Sequence, residues 1–177
     1  MDGSGNVTVS EEFEYEGPSM PTREAVLSST FTFLGNLRLY ANFDYKGGHQ
    51  LWCAICSIRN RIDQNTWEVN NPDADPVDVA VYKSLQTKSW IYPADFIKWR
   101  ELSLTYSLPA SWGAFFADSR WSFTLSGRNL FVWTKYEGTG DPEVNFYSVG
   151  GVSDFNRLDY ASLPQVRRLA ASVRVSF

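Results

Sequence analysis

The segment Leu37-Arg38-Leu39-Tyr40-Ala41-Asn42-Phe43-Asp44-Tyr45 decides the fold. A β-strand turns successive side chains to opposite faces, so Leu37, Leu39, Ala41, Phe43 and Tyr45 share one face and Arg38, Tyr40, Asn42 and Asp44 the other. The preceding Gly35-Asn36 suits a tight turn with positive φ. Before it, Glu24 to Leu34 alternates too, with Leu27, Phe31 and Phe33 opposite Ser28, Thr30 and Thr32. The two runs read as a hairpin.

The same period returns downstream. From Phe96, the residues Leu102, Leu104, Tyr106 and Leu108 oppose Glu101, Ser103, Thr105 and Ser107, and Pro109 stops the strand. A short turn, Ala110 to Ser119, leads into Arg120 to Thr134, where Trp121, Phe123, Leu125 and Gly127 oppose Ser122, Thr124, Ser126 and Arg128. The last strand runs from Val166, with Leu169, Ala171, Val173, Val175 and Phe177 on its apolar face. Two stretches lack the period. One is about 46–92, rich in Asn, Asp and Pro, with room for a short helix around Val79 to Leu85; the other is about 135–165, with Gly138-Thr139-Gly140-Asp141-Pro142 and Gly150-Gly151. Loops this long are usually functional.

About five strands, long beside the usual five or six residues, are joined by connections that run tight, long, short, long. That is the plan of an antiparallel transmembrane β-barrel, with short turns on one side and long loops outside. Tyr106, Trp112, Trp133 and Tyr136 fall near strand ends, where aromatic girdles belong. The chain is 177 residues with 44% hydrophobic and 16% aromatic residues, and its mean hydropathy of −0.29 is what lumen-and-lipid alternation produces. A net charge of −4 argues against a nucleic-acid partner, which needs a basic face. A soluble β-sandwich that binds carbohydrate shares the alternation. Strand length, loop alternation and the terminal Phe177 favour the membrane reading. Five strands cannot close a bacterial barrel, and open edges find no partners in lipid, so the chain reads as part of a larger barrel. A small free-standing barrel would need at least eight strands.

Several segments together resemble the end of the SusC/RagA-type TonB-dependent outer-membrane transporters. They are Asp95 to Pro109, Gly127-Arg128-Asn129-Leu130-Phe131 with Thr134-Lys135-Tyr136, Gly140-Asp141-Pro142-Glu143-Val144, the Leu163-Pro164-Gln165 entry to a strand ending in Phe177, and Phe43 to His49 upstream. The resemblance covers about Arg23 to Phe177, with 1–23 a partial loop or strand region and 24–177 the C-terminal part of the barrel. It implies the last five or so strands of a barrel of about 22, with the plug and the TonB-contacting segment absent from this sequence. It further implies a Gram-negative outer membrane, contact with its lipid, and import of large nutrients such as glycans or peptides. The TonB complex and a SusD-like lipoprotein are the implied partners, and the implied role is transport, not enzymatic. Val173, Val175 and Phe177 resemble the family's assembly signal. The long loops fall on the ligand side, where Trp67, Trp90, Tyr92, Phe146 and Tyr147 could stack on sugar rings or simply pack the loops.

Met1 to Asn6 has neither the basic nor the apolar region of a signal peptide. This reads as a cytoplasmic protein or, given the resemblance, a chain that starts downstream of its natural beginning. No cofactor is called for. Cys53 and Cys56 form one CxxC whose flanks look like loop, which favours an incidental pair, with a local disulfide open to it, over a redox or zinc motif. Asp73, Asp75 and Asp78 match no calcium loop. Asp141 and Glu143, two apart, make a poor glycosidase pair.

Overall fold

The computed structural model describes residues 7–8, 12, 14–84, 88–109, 111–112, 119–144, 157–160 and 162–177. These form two units. A sheet unit comprises Arg23–Lys46, Phe96–Trp133 and Gln165–Phe177, and a loop unit comprises Met1–Thr22, Gly47–Asp95 and Thr134–Pro164.

The sheet unit contains β1 (Arg23–Phe33), β2 (Leu37–Gly47), β5 (Phe96–Ser107), β6 (Arg120–Thr134) and β8 (Arg168–Ser176), in the order β1-β2-β5-β6-β8. The strands therefore follow chain order as a meander. β8 begins two residues after the position expected from sequence. β2 and β5 run antiparallel, with Leu37 opposite Tyr106, Leu39 opposite Leu104 and Ala41 opposite Leu102. The register shifts between Asn42 and Phe43, which face Glu101 and Trp99, so Arg100 is the additional residue of a bulge. The sequence requires it. Apolar side chains fall at Ile97 and Trp99, then at Leu102, Leu104 and Tyr106. An unbroken strand would carry one of these sets to the wrong face. The bulge keeps Trp99 beside Phe43, ring centroids 5.4 Å apart, and sends Arg100 to Asp44, with Nη2 and Nε 2.5 and 3.1 Å from the same carboxylate oxygen.

β6 and β8 pair antiparallel without interruption from Arg120 opposite Ser176 to Arg128 opposite Arg168. Apolar residues meet apolar ones (Phe123 with Val173, Leu125 with Ala171) and polar meet polar (Ser122 with Arg174, Thr124 with Ser172). A hydroxyl contact of 2.9 Å between Thr105 and Thr124, and an ion pair of 3.3 Å between Glu101 and Arg128, carry the polar face across from β5 to β6. Gly127 lies where a Cβ would sit 2.7 Å from the Leu130 side chain, so glycine leaves room for Leu130 to fold over it. Asn129 then takes a positive φ of 52°, a conformation that Asn tolerates better than most residues.

The loop unit gives the stretch 46–92, expected as a long loop with room for one short helix, several short elements, and the described part of 135–165 adds one short strand. It holds β3 (Gln50–Cys53), α1 (Ala54–Ile58) continued by a π turn, α2 (Trp67–Asn70), α3 (Pro76–Lys83), β4 (Ile91–Pro93) and β7 (Leu158–Asp159). β3 is the centre of a three-stranded sheet, antiparallel to β4 and parallel to β7. α3 starts three residues before the expected helix because Asp75 caps it, accepting from the Val77 N–H at 2.7 Å, and Pro76 occupies the first helical position. Leu51, Cys53, Cys56, Trp90, Ala94, Tyr136 and Val144 form a buried core drawn from both sequence stretches. The N-terminal segment belongs here: the Pro18 carbonyl accepts from the Gln50 N–H at 2.8 Å, and Lys88 pairs with Glu16 at 2.9 Å. Among its described residues, Val7 to Glu16 contains no strand.

Candidate functional site

Two features have the chemistry to matter: the network that fixes the loop unit, and the two unlike faces of the sheet unit.

The network centres on Asp159. β7 pairs with the innermost strand of its sheet, so this carboxylate is fully buried. One of its oxygens accepts from the Tyr136 hydroxyl at 2.9 Å, the Gly140 N–H at 2.9 Å and the Thr139 hydroxyl at 3.5 Å. A buried carboxylate needs such donors to offset lost hydration. A Cβ on residue 140 would fall 2.7 Å from both carboxylate oxygens, so only glycine lets the backbone approach this closely. Burial first, then the charge of Asp159 and the hydrogen bond to it, push the Tyr136 phenol well above its ordinary pKa. Nearby, Arg157 is buried and donates to the carbonyls of Pro142 and Val144 at 3.2 and 3.0 Å. The Gly-Thr-Gly-Asp-Pro stretch is thus tied from both ends of the Arg157–Asp159 segment. Tyr136, expected in an interfacial girdle, is instead part of this buried network. Asp159 has no signal in the sequence, because a lone Asp between Leu158 and Tyr160 gives no sign of burial.

The loop aromatics divide. Trp67 is 71% exposed, whereas Trp90 is 3% exposed and packs in the core beside Tyr82, ring centroids 5.3 Å apart. Tyr92 is half-buried, edge-on to Tyr136 at 6.0 Å. Phe146 and Tyr147 lie outside the described residues. Cys53 and Cys56 are joined in a disulfide. Their flanks are a strand and a helix, not the loop read from sequence: Cys53 ends β3, its sulfur accepts from the Cys56 N–H at 3.2 Å, and α1 follows. Both sulfurs lie in the core. Asp141 accepts from the Glu143 N–H at 2.9 Å, a turn-forming bond. Asp75 serves as the cap of α3, and no group of three or more metal-ligating side chains occurs among the described residues.

In the sheet unit the apolar face stays open. Leu27, Phe31, Leu125, Leu169 and Val173 are each more than half exposed, as is Phe177. Val175 is partly covered opposite Trp121. The opposite face carries Asp44, Arg100, Glu101, Arg128 and Arg168, with Ser and Thr between them. No helix among the described residues is long and apolar enough to cross a membrane, which leaves crossing by strands untouched.

No family model matches the chain. It is similar along its whole length to TonB-dependent receptor P3 of Formosa agariphila, 26% identical over an alignment of 192 positions that covers 18% of that protein. Its fold matches the RagAB peptide importer in the open-open state with a TM-score of 0.71, at 21% identity over 95% of this chain and 19% of that one. The closed-closed state matches with a TM-score of 0.66, at 22% identity over 99% of this chain and 20% of that one. The chain thus spans about a fifth of the length of the proteins it matches. It resembles a TonB-dependent receptor in sequence and the RagAB importer in fold.

Proposed function

We propose that this chain is a wall-and-loop segment of a TonB-dependent transporter in a Gram-negative outer membrane, importing nutrients too large for passive pores. One observation carries this reading: a five-stranded meander with an uncovered apolar face and a charged, hydroxyl-rich opposite face. Water is a poor solvent for the first face and a good one for the second, whereas lipid and an aqueous lumen suit both. The edges β1 and β8 each have one neighbour in the sheet, and in lipid each needs a further strand. In this reading β8, with Val173, Val175 and Phe177, serves as the assembly strand. The loop unit faces the outside, and Trp67 is its aromatic most available to a ligand. The partners are lipid, a SusD-like lipoprotein over the loops, and TonB acting through parts of the protein beyond this chain. Peptides are the leading cargo, since the similar RagAB is a peptide importer, with glycans the other class. The role is transport without covalent chemistry.

Membrane fractionation of cells expressing the gene tests this. The chain is expected in the outer-membrane fraction, with a tag inserted at 71–74 labelled from outside on intact cells. Recovery as a stable, detergent-free cytosolic monomer would support the soluble sandwich instead.

A further inference from the structure

The chain's charge is divided very unevenly. The loop unit holds six Lys and Arg against sixteen Asp and Glu, and the sheet unit ten against four. An overall charge of −4 thus hides a unit at −10 and a unit at +6. Three of the ten cations of the sheet unit gather at one place. Arg128 of β6 and Arg168 of β8 are direct cross-strand partners. Side chains so placed stand about 5 Å apart at Cβ, and like charges there destabilise the pair. Glu101 neutralises Arg128, and Asp44 neutralises Arg100. Arg168 has no ion-pair partner among the described residues. All three arginines line one open cleft of about 580 Å³ on the polar face, together with Glu101, Asn129 and Gln165.

We infer that this cleft is an oxyanion-binding site, with Arg128 and Arg168 as its clamp. Guanidinium forks match carboxylate, sulfate and phosphate groups through paired hydrogen bonds. An anion between the two arginines would also remove their mutual repulsion. Arg100, paired with Asp44, lines the β5 side of the cleft, and Glu101 holds the Arg128 fork in place. Under the transporter reading, on which the nutrient arm of this inference rests, the site favours cargo that carries acidic groups.

Arginine modification tests it on the full chain purified in detergent. Phenylglyoxal labelling, mapped by peptide mass, is expected to slow about tenfold at Arg128 and Arg168 when sulfate replaces chloride at equal ionic strength. Arg38 and Arg174 carry the control. Arg174 lies six residues along β8, about 20 Å away, and should change little. Tetragalacturonate should protect at lower concentration than sulfate if the source is an acidic nutrient, and its methyl ester should not protect. Protection by sulfate alone assigns the site to small free anions. R128Q should abolish protection at Arg168, and R128K should restore part of it. Equal slowing at all four arginines, or none, would overturn the site. Fractionation of the same variants is read separately: a chain absent from the outer membrane defeats the transporter reading, whereas a chain present there with unprotected arginines defeats only the anion site.

Discussion

The loop unit and the sheet unit use similar amounts of apolar side chain in opposite ways. In the loop unit, Leu51 and Cys53 are inaccessible to solvent, and short elements from 50–93 and 136–159 converge on them. In the sheet unit, long regular strands leave Leu27 and Leu125 about two-thirds exposed. The first unit carries its own core, as a water-soluble body must. The second has hydrogen-bonded its strands and sorted its faces, and its apolar face is left uncovered by the described residues. Charge follows the same division, acidic in the first and basic in the second.

The contrast breaks most readily at Leu51. Leu51→Ala empties a closed core and should cost about 2–5 kcal/mol, read as loss of near-UV circular dichroism on heating. Leu125→Ala should cost little in lipid, because no packed neighbour is lost. Equal losses at both sites would mean that the sheet face is packed after all. The converse substitution comes next. Leu125→Arg should cost about 2–4 kcal/mol in vesicles if it sits near the midplane, while Ser126→Arg, one residue along on the polar face, should be nearly neutral by urea unfolding. Gly140→Ala pushes a methyl group into Asp159 and weakens its N–H bond, for about 1–3 kcal/mol. Its damage should stay in the loop unit, leaving strand content unchanged by infrared spectroscopy. The smallest effect is a pH dependence. The unfolded chain releases the Tyr136 proton near pH 10, and the folded unit holds it to higher pH. Above about pH 10 the unfolded state binds fewer protons, so loop-unit stability should fall as pH rises. The Tyr136→Phe protein should lose most of this alkaline sensitivity, with a smaller share left to Tyr92, whose phenol burial also pushes up.

The sheet was legible because its signal is long: 9 to 15 residues per strand give a period of two room to declare itself. The alternation from Arg120 to Thr134 has the same bounds as the observed strand. The bulge at Arg100 is written in the phase change between Trp99 and Leu102, but only the phase from Leu102 onward is long enough to declare a strand face. The loop unit was not legible, because strands of two to four residues and helices of four to eight are too short for periodicity. Its core also joins residues nearly a hundred positions apart, Leu51 to Val144. For the same reason Trp90 looked like a loop aromatic when it fills that core. Asp159 and the Arg128–Arg168 pair depend on which strands are neighbours, and a single sequence holds that only through topology.

If the sheet is a barrel wall, its two faces meet different media. Nitroxide labels placed one at a time at Ser122 to Ser126, in the full chain in lipid, test it through collision with oxygen and with a water-soluble nickel chelate. Phe123 and Leu125 should be accessible to oxygen, and Ser122, Thr124 and Ser126 to nickel, alternating with a period of two. Low access to oxygen at Phe123 and Leu125 together with nickel access at the other three would instead describe a covered face in a soluble protein, and would exclude a lipid-facing wall.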